Sequence, residues 1–284
     1  MIWLNTILQG LLIGGLYAMF AAGLSLIFGV MRLVNIAHGD LTVLAAYIAY
    51  AIICATGLNP LFCILLVVPV MAGLGYALQR GLLNRTLGND ILPPLLVTFG
   101  LSIIIQNGLL TGFSADSHRL AAGAIETASL DLGGVYLGVL PLLQFGLAVA
   151  VIGGQHFMFY HTALGRAFRA VSDDQDVSRL MGLNNRHIYG LAMALSLAIV
   201  GLAGVLLAIR SNFDPAAGPA LLIFGFEAVI IGGLSSLWGT LAGGILLGVV
   251  QALAAQVNPG FQILAGHLVF LLVLAVRPRG LFVK

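Results

Sequence analysis

An all-α transmembrane helix bundle of about nine crossings (a range of about eight to ten) is the fold this sequence predicts, on three observations. Of the 284 residues, 60% are hydrophobic and only 8% are charged, whereas soluble domains carry about 25% charged residues. Mean hydropathy is +1.09. The charges are also gathered: residues 1–31, 41–79, 91–115, 132–165 and 228–276 hold no Asp, Glu, Lys or Arg. Backbone groups in lipid must be satisfied within the protein. Unbroken apolar runs of this length are therefore helices, not the alternating strands of a barrel.

Each crossing needs roughly 20 apolar residues, and turn chemistry sets the cuts. The first span, 6–30, is uncharged and rich in small residues. Residues 32–40 interrupt it with Arg32, Asn35, His38, Gly39 and Asp40 before a second span at 41–57. Gly57-Leu58-Asn59-Pro60 turns the chain into a third span, 60–79, which ends at Arg80 and Arg85. Pro93-Pro94 opens the fourth, 92–113, and 136–155 and 188–209 follow. Residues 211–219 form a second polar interruption, with Asn212, Asp214, Pro215 and Gly218. Spans 221–236 and 237–257 come next, and Val257-Asn258-Pro259-Gly260 leads into the last, 261–276. No boundary divides the chain, so residues 1–284 read as one membrane domain. Its many glycines let helix backbones approach closely, as ordinary bundle packing or contact with a second membrane subunit would require.

Arginine placement gives an orientation. Arg80 and Arg85, then Arg166, Arg169, Arg179 and Arg186, then Arg277, Arg279 and Lys284 mark cytoplasmic stretches. The C-terminus is expected inside, and residues 114–135, with Asp116, Glu126 and Asp131 against one arginine, outside. The same composition excludes several functions. Lys284 is the sole lysine, so the chain has no P-loop and no Schiff-base lysine. Any use of ATP needs another chain. Cys54 and Cys63 have no metal spacing and read as packing residues. Ser25 and Ser235 lack the G-x-S-G setting of an intramembrane protease. No catalytic residue, cofactor or metal is expected, and the net charge of +2 gives no reason to invoke nucleic acid.

Seven of the 22 charged side chains lie in the 33 residues from Gln155 to His187, between two apolar spans. Leu164, Phe168 and Val171 share one face of a first short helix there, with Arg166 and Arg169 opposite. Ser172 is placed to cap a second helix, with Gln175 at capping-box spacing, Asp173 and Asp174 in the first turn, and Gly182 as a left-handed stop. A loop with its own capped helices is built to touch something in the water. Asp173, Asp174 and Asp176 also suggest a magnesium-diphosphate cluster, which would make the chain an intramembrane enzyme, although capping already accounts for them.

The two interruptions suggest a path. Transporters place broken helices beside the translocation route, in corresponding positions of two halves. Polar groups at membrane depth are costly and tend to be functional. Asn35, His38 and Asp40, with Asp214 and Glu227, are therefore the candidate solute-path residues, although ordinary interfacial loops would carry the same side chains. His267 reads as a hydrogen-bonded helix contact. An ion-coupled secondary transporter using Asp40 or Glu227 is the alternative of a different class.

The pattern G-R-A-x-R-A followed by acids and a glycine, between two spans, resembles the coupling loop of ABC importer permeases. G-V-M-R-L-V-N-I-A-H-G-D-L (29–41), L-V-T-F-G-L-S-I-I-I-Q-N (96–107), L-A-G-V-L-L-A (202–208) and G-G-L-S-S-L-W-G-T-L-A-G-G (232–244) extend the likeness over nearly the whole chain. The chain resembles the smaller membrane (permease) subunit of branched-chain amino-acid ABC importers. It departs at Ser235, Val177, Ser178 and Glu227. The resemblance implies a bacterial inner-membrane permease that moves branched-chain amino acids or a related small solute by alternating access. It implies as partners a second homologous permease, two cytoplasmic ABC ATPases and an external solute-binding protein. It makes 155–187 the coupling loop, with Gly165, Arg166, Arg169, Ser172, Asp173 and Gly182 acting at the ATPase contact.

Overall fold

The structure is a computed structural model that describes residues 2–86, 92–131, 133, 136–234 and 236–282; Ser235 and Lys284 lie outside these. Among the described residues, eight helices are long and apolar enough to cross a bilayer, and a shorter apolar helix makes a ninth. In chain order these are α1 (Ile2–Met31), α2 (His38–Thr56), α3 (Pro60–Gly81), α4 (Leu92–Phe113), the short α5 (Ala124–Thr127), α6 (Val139–His161), α7 (Ala163–Asp173), α8 (Gln175–Leu180), α9 (Asn185–Arg210), α10 (Gly218–Gly232), α11 (Leu237–Val257) and α12 (Gln262–Val276). The fold is a polytopic helical bundle. Its one sheet among the described residues is an antiparallel hairpin, whose first strand, Ser129–Asp131, lies in the stretch 114–135 expected outside and whose second, Tyr136–Gly138, takes residues expected to open the fifth span.

α1 and α9 form the centre, with most of their residues buried, while α4 and α12 are mostly exposed. Small residues let α1 and α11 touch backbone to backbone. A Cβ on Gly10 would lie 2.7 Å from Val249 Cα, and one on Gly248 would lie 2.6 Å from the Gly14 nitrogen. Gly10 and Gly14 on one helix, and Gly244 and Gly248 on the other, are each one turn apart. That spacing brings helices together where lipid supplies no hydrophobic drive. Large apolar side chains such as Leu65, Leu96, Ile104 and Leu272 stay on the outside, where a bilayer solvates them.

The bundle has two distinct ends. At one, Asn84 donates to the Arg186 carbonyl (3.1 Å) and an Arg32 guanidinium nitrogen approaches the Ser172 carbonyl (3.5 Å), which gathers the arginine-bearing segments together. At the other, Gln9 donates to the Tyr136 carbonyl (2.8 Å), and His118 pairs with Phe213 through the backbone. Beyond α12 the chain folds back, and Leu281 and Phe282 donate to the Ile231 and Gly232 carbonyls at the end of α10. Those are the carbonyls a helix end leaves without partners.

Both interruptions re-enter the bundle. Phe20, whose carbonyl accepts from His38 Nε2 at 3.0 Å, lies twelve residues before Arg32 along α1. At 1.5 Å per residue that is about 18 Å from the arginine-rich end. Residues 32–37 therefore climb back to mid-bundle before α2 begins. Arg32 makes the reversal in a left-handed conformation (φ +53°). Residues 211–217 descend from the hairpin end in the opposite sense, and α10 starts where α2 starts. A Cβ on Gly218 would lie 2.8 Å from the Asp40 backbone nitrogen. α2 and the shorter α10 thus run away from one meeting point toward opposite ends.

The structure corrects several boundaries. α2 begins at His38 rather than 41, so His38, Gly39 and Asp40 form its first turn instead of belonging to the break. α6 runs to His161 and α9 starts at Asn185, which leaves the charged loop at 162–184. α10 occupies Gly218–Gly232 rather than 221–236. Spans 92–113 and 237–257 coincide with α4 and α11.

Candidate functional site

Two regions combine the polar residues expected to act: a buried node at the α2–α10 meeting point and the elbow formed by α7 and α8.

In the node, Asn35, His38 and Asp40 are 1%, 2% and 1% exposed. The Asn35 side chain accepts from the Ala37 nitrogen (3.1 Å) and shapes the turn into α2. The Asp40 carboxyl receives Ser102 Oγ at 2.6 Å and Gln106 Nε2 at 2.9 Å. Both donors come from α4, and Thr98, one turn earlier, accepts from the Ile36 nitrogen (3.3 Å). A polar stripe on an otherwise lipid-like helix therefore ties α4 to the re-entrant segment. The N-termini of α2 and α10 both face this carboxyl, and the partial positive charge of helix N-termini favours an acid there. Gly39 and Gly218 make the approach feasible, since a Cβ on either would run into the other strand of backbone or into the Asp40 side chain. Asn35 Nδ2 and His38 Nδ1 are buried without hydrogen bonds among the described residues.

The other two candidate path residues lie apart from this node. Asp214 accepts from the Ala216 nitrogen (2.8 Å) and shapes the turn before α10. Glu227, 2% exposed, bonds His267 Nδ1 of α12. Next to that pair, Tyr17 donates to Gln251 (2.7 Å) and its ring packs 5.3 Å from Phe224.

The elbow differs from its expected form in its caps. Thr162 caps α7 by accepting from the Gly165 nitrogen (3.1 Å). Asp174, not Ser172, caps α8, accepting from the Asp176 and Val177 nitrogens at 2.8 and 2.9 Å. Ser172 sits inside α7 and donates to the Gly29 carbonyl at 2.7 Å, in the last turn of α1. Its hydroxyl is thus spent on holding the elbow to the central helix. Gly165 faces inward: a Cβ there would lie 2.5 Å from Phe159 Cα, so this glycine allows the close α6–α7 joint. Arg166 is exposed, whereas Arg169 is partly buried, with its guanidinium 5.2 Å from the Tyr160 ring centroid. Gly182 has φ +84°, and the Leu183 nitrogen donates to the Ser178 carbonyl (3.0 Å) beyond it, closing α8.

The three acids of the elbow are dispersed in their roles. Asp174 is the cap, Asp176 approaches Arg179 (3.6 Å), and Asp173 borders a cavity. Among the described residues no three His, Cys, Asp or Glu side chains gather as a metal site.

Two sets of residues went unread in the sequence. One is the Ser102–Gln106 stripe; its four-residue spacing with Thr98 was the available signal. The other is the tip of the elbow, where Val177, Leu180 and Met181 are 54%, 87% and 78% exposed. Exposed apolar side chains at the end of a charged loop mark a candidate interaction site.

A family model described as branched-chain amino acid transport system, permease component, matches residues 6–276. A high-affinity branched-chain amino acid transport system permease protein, BraD of Pseudomonas aeruginosa, is 29% identical, covering 98% of this chain and 95% of its own length. The corresponding LivH protein of Salmonella typhimurium is 26% identical over the same shares. The LivM permease of Escherichia coli is 26% identical, covering 94% of this chain and 67% of its own length. No solved structure matches the chain.

Proposed function

Because this chain belongs to the family of branched-chain amino-acid transport permeases, we propose that it is the membrane subunit of an ATP-driven importer for branched-chain amino acids or a related small solute. It works beside a second, homologous permease, two cytoplasmic ABC ATPases and an external solute-binding protein in a bacterial inner membrane. The arginine-rich end and the C-terminus face the cytoplasm, in keeping with the excess of Arg there.

The elbow carries this reading. A chain without a P-loop must take ATP energy through a contact. The α7–α8 elbow presents an apolar tip at Val177, Leu180 and Met181, rimmed by Asp176 and Arg179, and is tied by Ser172 to the end of α1. Arg166 and Gly182 flank that contact, and Arg169 acts from within the elbow. A push on the tip reaches α1 through one hydrogen bond. From α1 it passes to the node through His38 on the Phe20 carbonyl. Alternating access then consists of parting and re-forming the α2–α10 contact. In the present conformation the node is closed, and Asn35 and His38 hold the unbonded nitrogens that parting would present to a passing solute. Glu227 and Asp214 line the route on either side of it. The chain performs no chemistry of its own.

Purification of the native complex followed by mass spectrometry tests the assembly. The expected result is co-recovery of a second permease and two ATPase copies with this chain. Recovery of this chain by itself, fully folded and without ATPase, would contradict the proposal.

A further inference from the structure

A cavity of about 640 Å³ opens beside the elbow, between α1, α6, α7 and the start of α11. Its walls differ in character. Tyr160 and Trp238, 56% and 47% exposed, line it, and His156 lies 4.6 Å from Tyr160 and 6.0 Å from Trp238 between ring centroids. Aromatic side chains of this kind sit where acyl chains give way to head groups. Arg169, stacked on Tyr160, supplies the cation, and the first turn of α11, from its cap at Ser236, adds the positive end of a 21-residue helix. Asp173, one helical turn beyond Arg169, lies on the cavity's rim. Among the described residues neither Arg169 nor Asp173 makes an ion pair.

We propose that this cavity is a phospholipid site selective for a phosphoethanolamine head group. Arg169 and the α11 N-terminus take the phosphate, as Arg pairs well with phosphate oxygens. Asp173 takes the ammonium. Side chains one turn apart are about 5–6 Å from each other at Cβ, a separation that suits a phosphate and an ammonium joined by a two-carbon link. The acyl chains leave past Tyr160 and Trp238. A glycerol head group would leave Asp173 facing the phosphate without a cation, and a trimethylated ammonium would have no N–H for its carboxylate. The lipid so held would press on α7, the helix that carries Ser172.

The test is native mass spectrometry of the delipidated, assembled complex, titrated with phosphatidylethanolamine, phosphatidylglycerol or phosphatidylcholine. Phosphatidylethanolamine should be retained about tenfold more tightly than the other two, a difference of about 1.4 kcal/mol. Asp173→Asn should erase that preference while lipid still binds, and Arg169→Gln should weaken all three lipids. Should Arg169→Gln fail to assemble, Asp173→Asn, at an exposed position, decides the matter together with Trp238→Ala, which should weaken all three. Equal retention of the three lipids by the parent, or an unchanged preference in Asp173→Asn, would overturn the proposal. So would displacement of the lipid by millimolar inorganic phosphate or leucine, which would assign the cavity to a small free ion.

Discussion

The substitution Gly218→Ala should lose at least tenfold in transport and lower the thermal stability of the permease. A Cβ at this position collides with the Asp40 side chain and lies 2.8 Å from the Asp40 nitrogen. The N-terminus of α10 would have to shift, or Asp40 would have to leave Ser102 and Gln106. Overpacking of this kind costs about 1–3 kcal/mol, and stranding a buried polar group costs about as much again. The sign makes the test sharp. Replacing a helical glycine by alanine ordinarily stabilises by about 0.5–1 kcal/mol. Gly153→Ala, where an added Cβ meets nothing within 4 Å, is the matched control and should be neutral or stabilising. Solute uptake and thermal unfolding of the two variants, measured side by side, check this. Parent-like uptake by Gly218→Ala would show that the α2–α10 contact is not the moving part.

The second large effect is expected at the tip of the elbow. Leu180→Asp with Met181→Asp should leave the permease folded, because side chains 87% and 78% exposed contribute little to its stability. The same change should cut co-purification of the ATPases by more than tenfold, or leave their hydrolysis indifferent to solute. Apolar anchors at the centre of an interface commonly contribute 2 kcal/mol or more each, and a carboxylate placed there is left without a partner. Measuring both recovery of the complex and solute-stimulated hydrolysis separates loss of assembly from loss of coupling. A double variant that assembles and responds to solute as the parent does would remove the elbow from the account.

Much of this architecture was legible in the sequence, for identifiable reasons. The bounds of α4 and α11 follow from prolines, an asparagine-proline-glycine turn and the absence of charge. Gly182 could be placed because a left-handed helix end favours glycine strongly. What failed to be legible depended on partners distant in the chain. His38 and Asp40 read as a break because polar side chains interrupt an apolar run, yet they sit in a regular helical turn. The donors that satisfy Asp40 arrive from α4, more than sixty residues later. Ser172 read as the cap of α8 and Asp174 as a first-turn acid, yet both side chains have cap chemistry. The choice was settled by the Gly29 carbonyl of α1, which takes the serine hydroxyl and leaves the aspartate to cap. Leu180 and Met181 were not legible because hydrophobicity marks burial by default, and their exposure depends on how the charged loop folds. Glu227 read as an isolated acid until α12 brought His267 to it.

The central claim, that this chain moves solute only when driven by an ATPase through the elbow, is tested most directly by uptake into sealed vesicles. Vesicles holding the complete complex, with ATP on the elbow side and the binding protein on the other, should accumulate labelled leucine or its replacement solute. Vesicles holding this chain alone should accumulate none when a proton or sodium gradient is imposed. Gradient-driven uptake by the lone chain would contradict the account and make Asp40 or Glu227 the coupling carboxylate of an ion-driven transporter.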